Sequence, residues 1–200
     1  MVIWIAAGDL PTGGVRVCFR MRLCAILFLT ILSSLPAMAN ESAFPETEPG
    51  QIELKVLPAG KLLESRGTGS YFEDSGGLFR PLFNYIQSHE ISMTTPVEAR
   101  IEPGVMYFWV GASQEDKATA NEGGVRVIEI PERKVAAIGL RGAYTRSNFE
   151  EARTVLLEWV SGQPGLSVVG EPWAVYWNGP MTPWFLKRSE VQVAVKSAAD

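Results

Sequence analysis

The chain is written twice over part of its length. Residues 57–88, "LPAGKLLESRGTGSYFEDSGGLFRPLFNYIQS", align with residues 130–161, "IPERKVAAIGLRGAYTRSNFEEARTVLLEWVS", at an offset of 73. Pro58 meets Pro131, Lys61 meets Lys134, Gly69 meets Gly142, Tyr71 meets Tyr144, Arg80 meets Arg153 and Ser88 meets Ser161. Two copies are too few for a solenoid, which buries its core only by stacking three or more units. A single domain of two pseudo-symmetric halves is the reading that remains.

Each copy reads strand, proline turn, strand, helix, and more strand. In "QIELKVL" (51–57) the apolar residues Ile52, Leu54 and Val56 alternate at period 2 and are expected to face inward, as are Val125 and Val127 of "VRVIEI" (125–130). The second copy's helix opens on an S-x-x-E pattern, Ser147 with Glu150, and carries the stripe Phe149, Ala152, Val155, Leu156, Trp159, Val160 until Gly162 and Pro164 end it. The first copy's helix shows Leu78, Phe79, Leu82, Phe83 and Ile86. Pro81 fits only a first turn, so this helix is expected to begin nearer Gly77 than Asp74. "VMYFWVG" (105–111) and "EVQVAV" (190–195) supply closing strands. The fold class is α+β, with mostly antiparallel strands and two packed helices.

The N-terminus reads differently. From Met21 the order is a start methionine, Arg22, an apolar run over Leu23–Leu32 and then Ala37-Met38-Ala39, the order of a secretory signal peptide cleaved after Ala39. Ten apolar residues are too few for a membrane span. Residues 1–39 are therefore expected to be leader and signal peptide, with Met21 as the start, and the product to be periplasmic or secreted. The segment 40–50, "NESAFPETEPG", is polar, acidic and Pro-rich and is expected to be a flexible lead-in to one domain over 51–196.

Cleavage would leave 15 basic and 21 acidic side chains, a net charge of −6. An acidic domain argues against a nucleic-acid partner, whose phosphates need a basic face. Cys18 and Cys24 would leave too, and with them disulfide, thiolate-metal and cysteine-nucleophile chemistry. One histidine, His89, cannot make an ordinary zinc site. No Gly-x-Ser-x-Gly elbow or phosphate-binding glycine loop is present, and no spacing singles out two carboxylates as acid and base.

Two further stretches carry a resemblance. "LFNYIQSHEISMTTPV" (82–97) and "AVYWNGPMTPWFLKRSEVQV" (174–193) resemble the SOUL haem-binding family. There an aromatic helix ending in Tyr-Ile leads to a Met-Thr-x-Pro-Val strand, and a Tyr and Pro-rich turn precede an Arg-Asn-Glu-Val strand, here Arg188-Ser189-Glu190-Val191. The likeness runs over about 50 to 196. It implies a distorted eight-stranded antiparallel β-barrel of two related halves with two helices. It also implies binding of haem or another tetrapyrrole in a hydrophobic groove; the chain is expected to serve as a carrier or buffer, as a monomer, with no catalytic residue and no metal ligand assigned.

The family's proposed histidine lies upstream of the first helix, where "GKLLESRGTGSYFEDS" (60–75) offers Tyr71 and no histidine. His89 is expected to cap a helix and "MTTPV" (93–97) to be a strand feature. In the family the ligand lies between the first helix and the late loop. Carried over, that points to Leu78, Leu82, Phe83 and Ile86 with Met181 and Trp184, and to Arg80, Lys187 and Arg188 for the propionates. Two alternatives stay open: a different small, planar apolar ligand in the same groove, or an enzyme using a cavity glutamate such as Glu64, Glu73 or Glu98.

Overall fold

The computed structural model describes residues 41–197; the leader read at 1–39 lies outside them. Eight strands follow in order: β1 (Ile52–Leu57), β2 (Gly60–Arg66), β3 (Val97–Arg100), β4 (Val105–Trp109), β5 (Val125–Ile130), β6 (Arg133–Arg141), β7 (Leu166–Tyr176) and β8 (Arg188–Ser197). Helix α1 (Ser75–Ser88) separates β2 from β3, and α2 (Arg146–Ser161) separates β6 from β7. All strand pairs are antiparallel and form one sheet in the order β1-β6-β8-β7-β3-β4-β2-β5.

That order is unchanged when it is reversed and each strand is exchanged for its counterpart four places on. Counterparts β1 and β5 begin 73 residues apart (52 and 125), as do β2 and β6 (60 and 133), and the helices end 73 apart (88 and 161). The first strand of each half pairs with the second strand of the other, so the halves interlock. No ladder joins β1 to β5 among the described residues, so the barrel is distorted and left open.

The two faces of the sheet are both covered. On one, α1 and α2 bury Leu78, Leu82, Tyr85, Ile86, Phe149, Ala152, Leu156 and Val160 against Leu63, Phe108, Ile138 and Val193. The other holds a second cluster with Phe44, Leu57, Leu62, Trp109, Trp173 and Val175. Phe44 belongs to the expected lead-in, so 41–50 is a packed strap and not a flexible segment. Its backbone is fixed by Ala43 N–H to Thr95 O (2.8 Å) and Thr47 N–H to Glu190 Oε1 (2.8 Å). Gly139 marks how closely it lies: a Cβ there would stand 2.4 Å from the carbonyl oxygens of Thr47 and Glu48.

The strap also divides β1: Ile52 packs against the helix-side core as expected, but the rest of that face is turned out. Leu54 and Val56 are 53% and 50% exposed, while Lys55 points inward to Glu190 Oε2 (2.8 Å), Thr47 Oγ1 (2.7 Å) and Pro45 O (3.0 Å). Alternation locates two faces but does not say which one is buried.

The helix ends differ in detail from the sequence reading. Thr145, in extended conformation, caps α2 by accepting from Asn148 N–H, two residues before the Ser147/Glu150 pattern. Its extended backbone leaves the hydroxyl aimed at the first free amides, whereas Ser147 is already helical and reaches Glu151. Val155 is exposed. Asp74 caps α1 by accepting from Gly77 N–H (2.9 Å), so Pro81 sits inside the helix and leaves Gly77 O without its usual donor. His89 follows α1, its ring stacked on Tyr85 at 4.0 Å and its Nδ1 2.9 Å from Tyr85 O. Thr94 donates to Trp109 O, and Thr95 N–H to Glu41 O, so the Met-Thr-Thr-Pro-Val string is where β3 meets the strap.

Candidate functional site

A groove of about 350 Å³ opens where the two halves meet on the helix side of the sheet. One wall is the start of α1, with Ser75, Gly76 and Phe79; the floor is Met93, Val97 and Met106 from the β3–β4 region. The other half supplies Tyr144, which precedes α2, Tyr176 at the end of β7, and Asn178, Gly179, Pro180 and Lys187 from the following loop. Tyr71 completes it. The volume lies at the low end of small-molecule pockets, and the mostly apolar lining with a few polar groups is typical of them.

Three tyrosines form its back. Tyr71 stacks on Tyr176 at 5.5 Å and 18°, and Tyr144 tilts over Tyr176 at 4.4 Å. Tyr144 Oη donates to Arg188 O (2.7 Å) and accepts from Asn178 N–H (3.1 Å), which ties the loop to the α2 side. Lys187 Nζ lies 4.8 Å above the Tyr144 ring. Tyr176 Oη is buried and has no partner in good hydrogen-bond geometry among the described residues, but the Tyr71 hydroxyl is close enough to act on it as a hydrogen-bond partner. A ligand acceptor beside this pair would add a hydrogen bond worth about 0.5–1.5 kcal/mol.

Burial is the first cause that raises the phenol pKa at all three positions, to about 12 for Tyr144 and higher for the other two. The groove therefore carries no phenolate at neutral pH, and Lys187 is the charged group among its lining residues. Because the fold favours the protonated phenol, this part of the stability is fully present below the ordinary value of 10.0 and is lost as pH rises through about 12. The melting temperature should fall over that window, in step with phenolate absorbance, and the fall should shrink in Tyr176→Phe. An equal fall in that variant would assign the alkaline loss to other groups.

The structure distributes the residues picked from sequence unevenly. Lys187 lines the groove. Leu78, Leu82 and Ile86 are 3%, 0% and 3% exposed in the helix-side core. Phe83 is exposed on α1, stacked against Phe79 at 5.6 Å, and Arg80 is exposed on the same helix. Met181 and Trp184 stand out in solvent and do not line the groove. Arg188 is bound to Glu46 (3.0 Å) and Glu48 (3.3 Å). The stripe that suggested a ligand wall is the stripe that packs the helix, and periodicity cannot separate the two uses. The tyrosines were missed as a group, although Tyr71 and Tyr144 occupy matching places in the repeat.

The buried glutamates lie on the strap side, away from the groove. Glu190 is met by Lys55, Trp177 Nε1 (3.0 Å) and Gln192 Nε2 (2.7 Å), and Glu98 by Trp109 Nε1 (2.9 Å) and Arg133 (2.8 Å). Glu64 is paired with Arg66 and Arg126, and Glu73 is exposed. Each buried carboxylate is thus held by a cation, and none faces the groove.

A family model described as "SOUL heme-binding protein" matches residues 41–194. No curated protein matches. Among solved structures, the C-terminal domain of EcmrR is similar at 18% identity and TM-score 0.59, covering 74% of this chain and 98% of that one. EcmrR in a complex with DNA gives 17% and 0.59 over 88% of this chain, which spans only 65% of that longer chain. A hydrolase from Listeria innocua gives 10% and 0.51, over 75% and 94%. At such identities these likenesses establish the fold alone.

Proposed function

Because the chain belongs to the SOUL haem-binding family, we propose that its groove binds haem or another tetrapyrrole, as an exported, monomeric carrier or buffer. The observation that carries this reading is an apolar groove backed by the stacked Tyr71–Tyr176 pair, with one cation on its rim. Tyr71, Phe79, Met93 and Met106 offer aromatic and thioether surface to a planar ring. Tyr176 offers a hydrogen bond and Lys187 a charge for a propionate. Haem bound there would bring an iron centre with redox and ligand-binding capacity; the residues of this chain hold the ring, exclude water from it and pair its carboxylates.

Titration of residues 40–200, one compact unit, with haemin and with metal-free protoporphyrin tests this. Both are expected to bind one-to-one with similar affinity. Tyr176→Phe and Lys187→Gln are expected to weaken each by about tenfold, the worth of one hydrogen bond to a charged partner. His89→Ala should leave binding unchanged, since His89 is occupied by Tyr85 and Ser88. Absence of saturable binding would overturn the reading, and loss in His89→Ala alone would move the site to the end of α1.

A further inference from the structure

The loop between β7 and β8 places four large apolar side chains in water. Met181 is 93% exposed, Trp184 66%, Phe185 53% and Leu186 48%. Scattered exposed hydrophobics need no explanation, but four within six residues form a patch that usually marks an interaction site. This one projects: Met181 has almost no protein around it, and Trp184 and Phe185 support each other edge to face at 5.8 Å on a single 3-10 turn.

Three features say what such a tip would enter. Part of its backbone is satisfied from within. Thr182 N–H bonds to Gly179 O, Leu186 N–H to Pro183 O and Lys187 N–H to Trp184 O, while Pro180 and Pro183 have no N–H to satisfy. Internal pairing of these groups lowers the cost of leaving bulk water for the headgroup layer. The composition also fits: a tryptophan between apolar residues with a lysine directly behind is the pattern of the lipid–water boundary, where the indole sits at headgroup depth and the ammonium reaches out to phosphate. Charge completes it. In a chain of net charge −4, residues 177–188 hold Lys187 and Arg188 and no carboxylate. Arg188 is tied to Glu46 and Glu48; Lys187, over the Tyr144 ring, pairs with no carboxylate among the described residues, and Arg141, opposite Arg188 in the sheet, is exposed.

We propose that this loop docks the domain on an anionic phospholipid surface by inserting Met181, Trp184, Phe185 and Leu186 among the headgroups. No helix of the described residues is long and apolar enough to cross a membrane. Gly179, Pro180 and Lys187 of the same loop line the groove, and docking would set the groove mouth at the lipid boundary, where planar apolar molecules partition. The docking itself does not depend on which ligand the groove takes.

The test is co-sedimentation of residues 40–200, and of the full chain, with vesicles of phosphatidylcholine alone or mixed in equal parts with phosphatidylglycerol. The 40–200 unit is expected to pellet with the mixed vesicles and less with the neutral ones. The double variant Trp184→Ser, Phe185→Ser is expected to lower partitioning by about tenfold or more, from the apolar surface removed, with its circular dichroism unchanged. Brominated acyl chains should quench the tryptophan emission of the native sequence, and Trp184→Phe should remove that quenching. Failure to pellet, equal pelleting of the double variant, or quenching that survives Trp184→Phe would each overturn the proposal. So would self-association without lipid that the double variant abolishes, which would make the patch a protein interface.

Discussion

Replacing Lys55 by methionine is expected to lower the free energy of unfolding by about 3–5 kcal/mol, the cost of leaving a buried charge without its partner. Glu190 is fully buried and the Lys55 side chain is 12% exposed, with their charged atoms 2.8 Å apart. Methionine fills much of the same volume, so the loss reports charge more than packing. It also withdraws the donor from Pro45 O and Thr47 Oγ1, which unfastens the strap from β1. Guanidinium unfolding gives the loss, and amide exchange at Phe44–Thr47 should rise with it. The double variant Lys55→Met, Glu190→Gln neutralises the carboxylate and keeps an oxygen for Thr47 N–H and Trp177 Nε1, so it should recover most of the loss. A double variant as unstable as the single one would show that packing dominates.

Leu82→Ala is expected to cost about 2–5 kcal/mol, the range for emptying a fully buried leucine site. Leu82 is 0% exposed in the core beneath α1, and the groove begins on the other side of Phe79. Haemin affinity, measured where the variant is still folded, should therefore match that of the native chain. An affinity drop of tenfold with stability intact would place the ligand along the Leu82 stripe, as the sequence suggested, and would displace the tyrosine groove.

These two substitutions probe opposite faces of one sheet. The strap side is packed by paired charges and aromatic rings. On the helix side the groove opens at the junction of the halves, where Tyr71 and Tyr144 approach Tyr176 from the two copies. A pseudo-twofold fold has one such junction between its helices, and two equivalent turns converge on it. The β7–β8 loop, which the symmetry does not duplicate at the same length, adds Lys187 to the rim and an apolar tip beyond it. The bulge at Gly170, with φ of +74°, lets β7 run on to reach Tyr176 and that loop.

The sequence by itself determined the α+β class, the two halves at a spacing of 73, the two amphipathic helices and the family, because each is carried by residues near one another in the chain or by pattern alone. It did not determine which face of β1 is buried, that 41–50 is part of the core, or which residues line the groove. Lys55 lies inward only because Glu190, 135 residues later, is there to receive it, and Thr47 is buried only because the same carboxylate lies 143 residues on. Alternation marks two faces of a strand without naming the inner one. In a sheet covered on both sides, that choice belongs to long-range partners and is made only when the chain has closed on itself.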